Sequence, residues 1–356
     1  MASNNSICQL LERNLDIFKD KEVLLVGDIL DPMLLALVKD AKKATIICDN
    51  YVVCQKMAAM IGLSLDNRLN QKLSYKHVTI FFARIEQTLA KLDKVDNLVL
   101  LLSKNKLQTL KLLSLLKGTL KESSFIYTAG ANDGGAKSAD SILSKIGHCK
   151  KVDLARKCTL FRASFDNDYE LYSGCSDLKL SLLGHNLCLK QDPIVFSTGK
   201  LDVGTKLLLE CLEDLTPQGR ALDLGCGCGV VGIFLSKLGF KNVTACDISA
   251  SALNLAYENA RDNDCSDISY VPSDMLSEVG SFDYIVVNPP FHVGINTDTA
   301  PTINMIIDAP NHLNDEGKLY MVANAHLHYE KYLEENFSKV SVLKKTNTFV
   351  VYLAQK

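Results

Sequence analysis

The most specific chemical signal in the sequence is the run Asn288-Pro-Pro-Phe-His292, which follows the apolar run Tyr284–Val287. Prolines cannot donate to a sheet ladder and they fix φ, so Pro289 and Pro290 are expected to end a strand in a stiff turn. Such a turn holds two oxygen acceptors, the Asn288 amide oxygen and the Pro289 carbonyl, in fixed directions. Fixed acceptors suit an exocyclic aromatic amine, whose lone pair is otherwise delocalised into its ring.

The rest of the motif fits transfer of a group to such an amine. Phe291 offers a stacking face for a flipped base, and His292 is expected either to touch the substrate or to form a local hydrogen bond. Positioning supplies most of the rate in this chemistry, and the proton can leave after transfer, so neither a strong base nor a cysteine nucleophile is needed. Alternatively, the motif has no catalytic role and is only a turn that ends a strand. The predicted catalytic residues are Asn288, Pro289, Pro290 and Phe291.

A glycine-rich loop, Asp223-Leu-Gly-Cys-Gly-Cys-Gly229, lies between the apolar run Ala221–Leu224 and the helical run Val230–Leu238. Glycines are needed where the backbone turns tightly and a ligand approaches main-chain atoms. The overlapping Gly227-Cys-Gly-Val-Val-Gly232 also matches the dinucleotide fingerprint G-x-G-x-x-G. The loop alone is therefore compatible with either a dinucleotide or S-adenosylmethionine.

Two aspartates, Asp274 and Asp223, favour S-adenosylmethionine, whereas a third, Asp247, suits a dinucleotide equally well. Asp247 ends the next strand, where a carboxylate can accept hydrogen bonds from both ribose hydroxyls, and Asp274-Met275 follows the third strand, where it suits the adenine edge. Asp223 suits indirect capture of the methionine ammonium and would repel a diphosphate. Asp247 and Asp274 are also compatible with helix caps, a role that Ser249 or Ser273 would fill equally well. The predicted cofactor-binding residues are Asp223, Gly225, Cys226, Gly227, Asp247, Ile248, Asp274, Met275 and Asn288.

Short apolar runs alternate with amphipathic runs along the first half, a pattern that predicts βαβ units and a mostly parallel sheet. The predicted elements of this half are strands over Glu22–Val26, Ala44–Ile47, Val78–Phe82, Asn97–Leu102 and Phe125–Ala129, helices over Lys106–Leu116 and Ser138–Ile146, and a closing edge strand within Val152–Arg162. The polar segment Ser164–Tyr169 is the predicted linker. It separates two predicted domains, residues 1–164 and 165–356.

The second half repeats this layout. Leu178–Leu189 opens it as two short strands, with a hairpin turn at Gly184-His-Asn186. Seven further strands are predicted, the last two antiparallel: Ala221–Leu224, Val243–Cys246, Ile268–Val271, Tyr284–Val287, Lys318–Val322, Val340–Leu343 and Thr348–Leu353. Each half opens with a strand, a glycine turn and a helix, but the first copy, Val23–Asp28, has a single glycine. We therefore expect a duplicated fold in which only the second copy has kept a cofactor site.

The composition and charge of the chain limit the classes of function it can have. The 356 residues are 47% hydrophobic and contain twelve scattered cysteines without a C-x2-C pair, so we expect buried, reduced thiols and no metal site. No run approaches the roughly 18 apolar residues of a membrane span, which favours a cytoplasmic protein. Residues 1–164 carry a net charge of +9 and residues 165–356 carry −11. A basic half suggests a grip on a polyanion, although solvated helix faces explain such charges equally well.

The chain resembles the RsmC-type small-subunit ribosomal RNA guanine-N2 methyltransferases over nearly its whole length, with the related large-subunit enzymes close behind. Besides the duplicated layout, the markers are Asn288-Pro-Pro-Phe-His292, Lys151-Val-Asp-Leu-Ala-Arg-Lys-Cys158, Phe196-Ser197 followed by Leu201-Asp-Val-Gly-Thr205, and Val322-Ala-Asn-Ala325. The resemblance implies an α/β fold of two tandem class I (Rossmann-like) methyltransferase domains, with a degenerate N-terminal copy and a seven-stranded, mostly parallel C-terminal copy.

The resemblance also implies S-adenosylmethionine as cofactor, a guanine N2 in the small ribosomal subunit as target, and a substrate pocket. That pocket would be lined by Phe196, Leu201, Asp202, Gly204, Thr205 and His292. At the position of the catalytic turn the first copy reads Ser103-Lys-Asn-Lys106, with cations in place of acceptors, which suits RNA handling. The chain has no tryptophan, so any further stacking falls to Phe and Tyr. Its modest overall acidity does not suit tight binding to naked RNA, and the resemblance suggests an assembled ribosomal particle, which offers shape as well as charge.

Four alternatives stay open at this point. An Asn-Pro-Pro turn also suits the side-chain amide in protein N5-glutamine methyltransferases, although these usually carry tyrosine at the position of Phe291. A large-subunit guanine-N2 enzyme shares the markers, and a DNA adenine-N6 enzyme would need more than the about 65 residues that follow the motif. A ribosome-assembly binding factor would need no catalysis at all. We expect a monomer with no membrane partner.

Overall fold

The structure is a computed structural model, and it describes residues 5–166, 172–195, 199–289 and 299–356. The chain forms two compact units: unit 1 comprises Met1–Asp66 and Asn70–Gly174, and unit 2 comprises Asn67–Leu69 and Cys175–Lys356. Part of the predicted linker is bonded within unit 1, because Ser164 N–H donates to the His148 carbonyl and Asp166 N–H to the Ile146 carbonyl. No helix of the described residues has both the length and the apolarity needed to cross a membrane.

Unit 1 contains a mixed sheet with parallel central strands. Its strands are β1 (Glu22–Gly27), β2 (Lys43–Cys48), β3 (Gln71–Tyr75), β4 (Val78–Phe82), β5 (Val95–Leu101), β6 (Leu120–Ala131), β7 (Cys149–Ala155) and β8 (Cys158–Ala163). In the described part of this unit the order is β3-β4-β2-β1-β5-β6-β8-β7. Strands β4, β2, β1, β5 and β6 run parallel, and β3, β7 and β8 pair antiparallel at the edges. The five predicted parallel strands are confirmed, although β6 begins earlier than expected.

The helices of unit 1 start where the sequence supplies caps. They are α1 (Ser6–Glu12), α2 (Leu34–Leu37), α3 (Tyr51–Met60), α4 (Lys106–Leu116) and α5 (Ala136–Ile146). The Asn50 Oδ1 accepts a hydrogen bond from Val53 N–H at 3.0 Å and caps α3, and Asn105 caps α4 in the same way. The predicted helix over Lys106–Leu116 is confirmed, and the next helix begins two residues before the predicted Ser138.

Two features of this sheet differ from expectation. The predicted single edge strand Val152–Arg162 is wrong, because Arg156 and Lys157 turn the chain with φ values of 53° and 59° and make β7 and β8 a hairpin. Such turns usually carry Asn-Gly, so the sequence did not signal it. Strand β3 was not expected either. Its residues are mostly polar, and it lies at the opposite edge as an antiparallel partner of β4.

Unit 2 opens with the predicted hairpin. Strands β9 (Leu178–Leu182) and β10 (His185–Leu189) pair antiparallel. The turn consists of Leu183 and Gly184, with φ values of 51° and 79°. The hairpin is therefore confirmed, but His185 and Asn186, which were expected in the turn, belong to β10 because a two-residue turn already reverses the chain.

The main sheet of unit 2 has the predicted strands. They are β11 (Arg220–Leu224), β12 (Asn242–Asp247), β13 (Ile268–Pro272), β14 (Phe282–Val287), β15 (Leu313–Asn324), β16 (Lys339–Lys345) and β17 (Phe349–Gln355). The described residues give seven strands in the order β13-β12-β11-β14-β15-β17-β16, with β17 antiparallel to both of its neighbours. The helices are α6 (Val203–Glu210), α7 (Val230–Leu238), α8 (Ala250–Asp262), α9 (Ala300–Asp308) and α10 (Glu330–Asn336).

The strand order reverses beside β11, which pairs in parallel with β12 on one side and β14 on the other. In parallel sheets this switch point opens a crevice at the carboxyl ends of the strands. Alternate residues of β14 enter two cores: Tyr284 and Val286 pack with α7 and α8, whereas Ile285 and Val287 pack with α9 and α10. Buried on both faces, β14 holds the residue that follows it, Asn288, in a defined place.

Candidate active site

A cavity of about 660 Å³ lies in unit 2 at the carboxyl ends of β11, β12, β13 and β14. Its volume is within the range of pockets that bind small molecules. Among the described residues the sequence-predicted ones that line it are Leu201, Asp202, Thr205, Asp223, Gly225, Cys226, Gly227, Asp247, Ile248, Asp274, Met275, Asn288 and Pro289. Phe196, Pro290, Phe291 and His292 lie outside the described residues.

The glycine loop after β11 leaves room for a ligand. Gly225, Gly227 and Gly229 have φ values of 72°, 53° and 83°, which L side chains rarely adopt. A Cβ added at Gly225 would meet no other described atom within 4 Å, whereas one at Gly229 would lie 2.8 Å from the Ala256 Cβ. Gly225 therefore borders open space, and Gly229 permits close packing of the loop against α8.

Asp247, at the end of β12, holds this loop in place. Its Oδ2 accepts a hydrogen bond from Gly227 N–H at 3.0 Å, and its Oδ1 accepts one from Ser249 N–H at 3.0 Å. The cap of α8 is Ser249, whose Oγ accepts from Ala252 N–H at 3.1 Å. Asp247 therefore braces the loop, and its side chain also lines the cavity.

In the turn after β13, as in the turn after β12, a serine stabilises the backbone and an aspartate lines the cavity. Ser273 is buried, and its Oγ donates to the Met275 carbonyl at 2.8 Å and accepts from Glu278 N–H at 3.1 Å. Met275 has a φ of 49°. The Asp274 side chain is exposed and lines the cavity. Ser273 thus stabilises the turn, and Asp274 faces the cavity.

Asp223 is buried beneath the glycine loop, with 2% of its surface exposed. Its Oδ2 accepts a hydrogen bond from Gly232 N–H in α7 at 2.7 Å. Burial raises the pKa of Asp223 to about 7, with Asp247 adding to the effect and the Gly232 hydrogen bond opposing it. Near neutral pH this carboxyl is therefore divided between its protonated and ionised forms.

The amide of Asn288, directly after β14, has one end bonded and one end unbonded. Its Nδ2 donates to Asp202 Oδ2 at 3.0 Å and to Thr205 Oγ1 at 2.8 Å. Its Oδ1 is buried and has no hydrogen-bond partner among the described residues. A buried acceptor without a partner is costly unless a ligand satisfies it. Asn288 lines the cavity, and a ligand N–H or O–H group that reached this oxygen would satisfy it.

The thiols around the cavity are poor nucleophiles. Burial raises the pKa of Cys228 to about 11 and the pKa of Cys226 and of Cys246 well above the ordinary thiol value. The thiolate is the reactive form, so these side chains are protonated at neutral pH. In the described ranges no three His, Cys, Asp or Glu side chains are grouped so as to hold a metal.

One residue that lines the cavity, Phe349, and one that supports its glycine loop, Asn259, were not predicted from the sequence, and one predicted residue does not line it. Gly204, expected in the pocket, instead faces the Phe349 ring, which a Cβ there would approach to 3.1 Å, and Phe349 lines the cavity. Asn259, fully buried in α8, accepts from Lys190 N–H at 2.7 Å and donates to the Cys228 carbonyl at 2.9 Å. It thereby ties the segment after β10 to the glycine loop, and a single buried amide in a helix leaves no sequence signal.

Comparisons with known proteins identify the family of the chain. The family model of the methyltransferase small domain matches residues 186–353, and that of the methyltransferase small domain N-terminal region matches residues 8–173. The ribosomal RNA small subunit methyltransferase C of Photobacterium profundum is 31% identical over 359 residues, which cover 99% of this chain and 100% of that protein. The protein of the same name from Vibrio cholerae is 32% identical over 353 residues, covering 97% and 96%.

A solved structure shares the complete fold. It is the 16S rRNA N2 methyltransferase RsmC of T. thermophilus in complex with AdoMet and guanosine, and it matches with a TM-score of 0.76 and 23% identity. The match covers 94% of this chain and 88% of that one. The predicted arrangement of two tandem methyltransferase domains is thereby confirmed.

Proposed function

The chain belongs to the ribosomal RNA small subunit methyltransferase C family, and from this membership we propose that it methylates the exocyclic N2 of a guanine in small-subunit ribosomal RNA, with S-adenosylmethionine as the methyl donor. The observation that carries the proposal is the buried Oδ1 of Asn288, which has no hydrogen-bond partner in the described part of the chain. An exocyclic amine supplies the N–H that this acceptor lacks.

The residues around the cavity fit S-adenosylmethionine. The open space at Gly225 admits a ligand against the backbone. The Asp247 carboxylate suits the ribose hydroxyls, Asp274 suits the adenine edge, and Asp223 suits the methionine ammonium. When bound, the cofactor supplies an electrophilic methyl group on a sulfonium.

Asn288 and Pro289 would act by positioning the amine. An N–H that donates to Asn288 Oδ1 aligns the guanine N2 and raises the electron density on that nitrogen, which otherwise shares its lone pair with the ring. Holding two reactants in a near-attack geometry lowers the barrier by up to roughly 7–11 kcal/mol. The extra proton on the methylated nitrogen can pass to water, and the protonated thiols nearby take no part.

We assign RNA handling to unit 1. Its Gly27, the counterpart of Gly225, has no comparable open space, because a Cβ there would lie 2.1 Å from the Leu101 carbonyl oxygen. In place of an Asn-Pro-Pro turn, Ser103 Oγ accepts from Asn105 N–H at 3.1 Å, and Asn105 in turn caps α4. These groups serve the local fold, and the net charge of +9 over residues 1–164 suits phosphate contacts.

We further propose that the assembled small subunit is the substrate, and that the protein works as a cytoplasmic monomer. Exposed lysines such as Lys150 and Lys151 on β7 would add charge to a recognition based mainly on shape. The predicted domain limits, 1–164 for RNA handling and 165–356 for catalysis, are part of this proposal.

The test is to find where the methyl group goes. Purified protein is incubated with radiolabelled S-adenosylmethionine and one of three acceptors: small ribosomal subunits, free ribosomal RNA, or peptide release factors. Digestion to nucleosides or amino acids then identifies the product. We expect N2-methylguanosine from the subunits and little label elsewhere. Label on glutamine, or on an adenine, would overturn the assignment.

A further inference from the structure

We infer that Asp202 and Thr205 are positioning residues that fix the orientation of the Asn288 amide, so that the site presents an acceptor to the substrate and selects an N–H donor over a carbonyl. The inference rests on the proposed function for the identity of the substrate. The orientation itself is a property of the protein alone.

The three side chains form a directional hydrogen-bond network. Asp202 Oδ2 accepts from Thr205 N–H at 2.8 Å, from Thr205 Oγ1 at 3.2 Å and from Asn288 Nδ2 at 3.0 Å. Because the single hydroxyl proton of Thr205 goes to Asp202, Thr205 Oγ1 has only lone pairs left for Asn288. Both neighbours of the amide nitrogen are therefore acceptors, and both Nδ2 protons are used.

A reversed amide would be strongly disfavoured. Rotation by 180° would place Asn288 Oδ1 about 3 Å from the Asp202 carboxylate and the Thr205 oxygen, with acceptors facing acceptors and two hydrogen bonds lost. The carboxylate makes this penalty larger than a neutral acceptor would, since hydrogen bonds to ionised groups are roughly twice as strong. Oδ1 is thus held on the side of the amide away from Asp202 and Thr205.

The helix and strands that carry this hydrogen-bond network pack on one sheet. Asp202 is the N-cap of α6, and Thr205 is 7% exposed in the first turn of that helix. The helix packs on β15 and β17, and Gly204 allows the Phe349 ring to approach. Asn288 follows β14, which pairs with β15, so both partners are anchored to the same sheet.

The chemical consequence is selectivity at the substrate edge. Guanine presents an N–H2 donor at C2 and a carbonyl acceptor at C6. A fixed Asn288 Oδ1 bonds the amine and repels the carbonyl, whereas a reversed amide would do the opposite. Asp202 and Thr205 do not need to touch the substrate to impose this choice.

The first test is independent of activity. In protein selectively labelled with ¹⁵N-asparagine and without cofactor, we expect both Nδ2 protons of Asn288 to exchange slowly with solvent. Asp202→Ala should accelerate the exchange at least tenfold, and Asp202→Asn should preserve most of the protection, because its amide oxygen is able to accept the same bonds. Fast exchange in the unsubstituted protein, or no change in Asp202→Ala, would overturn the network whatever the substrate is.

The second test is kinetic. We expect Asp202→Ala to lower kcat on small subunits roughly 100-fold with little change in KM, Thr205→Val to lower it roughly tenfold, and Asp202→Asn to stay within about tenfold of the unsubstituted enzyme. In an Asn288→Ala background, Asp202→Ala should cause no further loss of kcat.

The control for a lost helix cap is Asn50→Ala, which removes the cap of α3 in unit 1 and should leave kcat unchanged. Equal losses in both backgrounds, or no rescue by Asp202→Asn, would show a merely structural role and overturn the inference. If the unsubstituted enzyme methylates no guanine, the proposed function fails while the exchange test still stands.

Discussion

The Asp247 carboxylate and the Gly227 backbone N–H are 3.0 Å apart and join the end of β12 to the loop that follows β11. The side chain predicted to hold the ribose therefore also shapes the loop on which the rest of the cofactor would lie. Under the proposed function, cofactor recognition and loop geometry would both depend on this one carboxylate.

We expect Asp247→Ala to weaken S-adenosylmethionine binding at least 30-fold, because a hydrogen bond to a charged group contributes about 2 kcal/mol and the loop loses its brace. Isothermal titration calorimetry measures the affinity directly. Asp283→Ala is the matched control. The Asp283 Oδ2 accepts from Arg220 N–H at 2.6 Å at the amino ends of β14 and β11, whereas the cavity lies at the carboxyl ends. Asp283→Ala should therefore lower stability without changing the affinity. Similar losses of affinity in the two variants would show that Asp247 acts only on the fold.

The left-handed glycines allow a second comparison. Gly225 and Gly62 have φ values of 72° and 73°, and a Cβ at either would meet no other described atom within 4 Å. Substitution by alanine should cost each about 1–2 kcal/mol of stability, as seen in thermal unfolding. Only Gly225→Ala should also reduce S-adenosylmethionine affinity, by about tenfold or more. Unchanged affinity in Gly225→Ala would mean that the cofactor does not lie against this glycine.

The sequence predicted the strands of unit 2 because each is a short apolar run, and it predicted the site because Gly225, Asp247, Asp274 and Asn288 follow such runs. Carboxyl ends of parallel strands meet at one edge, so placing the strands placed these residues. The direction of the Asn288 amide was not predictable, since Asp202 and Thr205 approach it from α6, more than eighty residues earlier in the chain.

Other failures have similar physical causes. The turn at Arg156 and Lys157 lacks the usual residues for positive φ, so one strand was predicted where a hairpin stands. Gly204 belongs to a motif that lines the pocket, but on a helix neighbouring residues face different directions, and Gly204 faces Phe349. Both errors concern local backbone geometry that the residue types do not determine.

Stability should depend on pH through Asp223. Its pKa rises from an ordinary aspartate value in the unfolded chain to about 7 in the fold, so its contribution is fully present below about pH 4 and is lost as the pH rises through about 7. Asp223→Asn removes this dependence. Relative to the unsubstituted protein, the variant should gain roughly 2–3 kcal/mol in unfolding free energy between pH 5 and pH 8. Chemical denaturation at the two pH values tests this, and a difference that does not change with pH would contradict it.

Unit 1 should account for much of the salt dependence of subunit binding. We expect Lys150→Glu with Lys151→Glu to weaken binding to small subunits and to reduce the log–log salt slope by about 2, close to one unit for each lost phosphate contact. S-adenosylmethionine affinity should not change. Lys331→Glu with Lys339→Glu makes the same charge change at exposed positions of unit 2 and should have a smaller effect. Filter binding at several salt concentrations measures the affinity for small subunits. Equal losses of affinity in the two pairs of variants would contradict RNA contacts by Lys150 and Lys151 on β7.

The most direct test of the central claim compares single-turnover methylation of small subunits by the unsubstituted enzyme and by Asn288→Ala, alongside S-adenosylmethionine affinity. Loss of an oriented group in an active site typically costs roughly 10²–10³ in rate. We predict a loss of this size in the formation of N2-methylguanosine, larger than the loss of cofactor affinity expected from the predicted contact of Asn288 with the cofactor. Methylation by Asn288→Ala at a rate close to that of the unsubstituted enzyme would contradict the account.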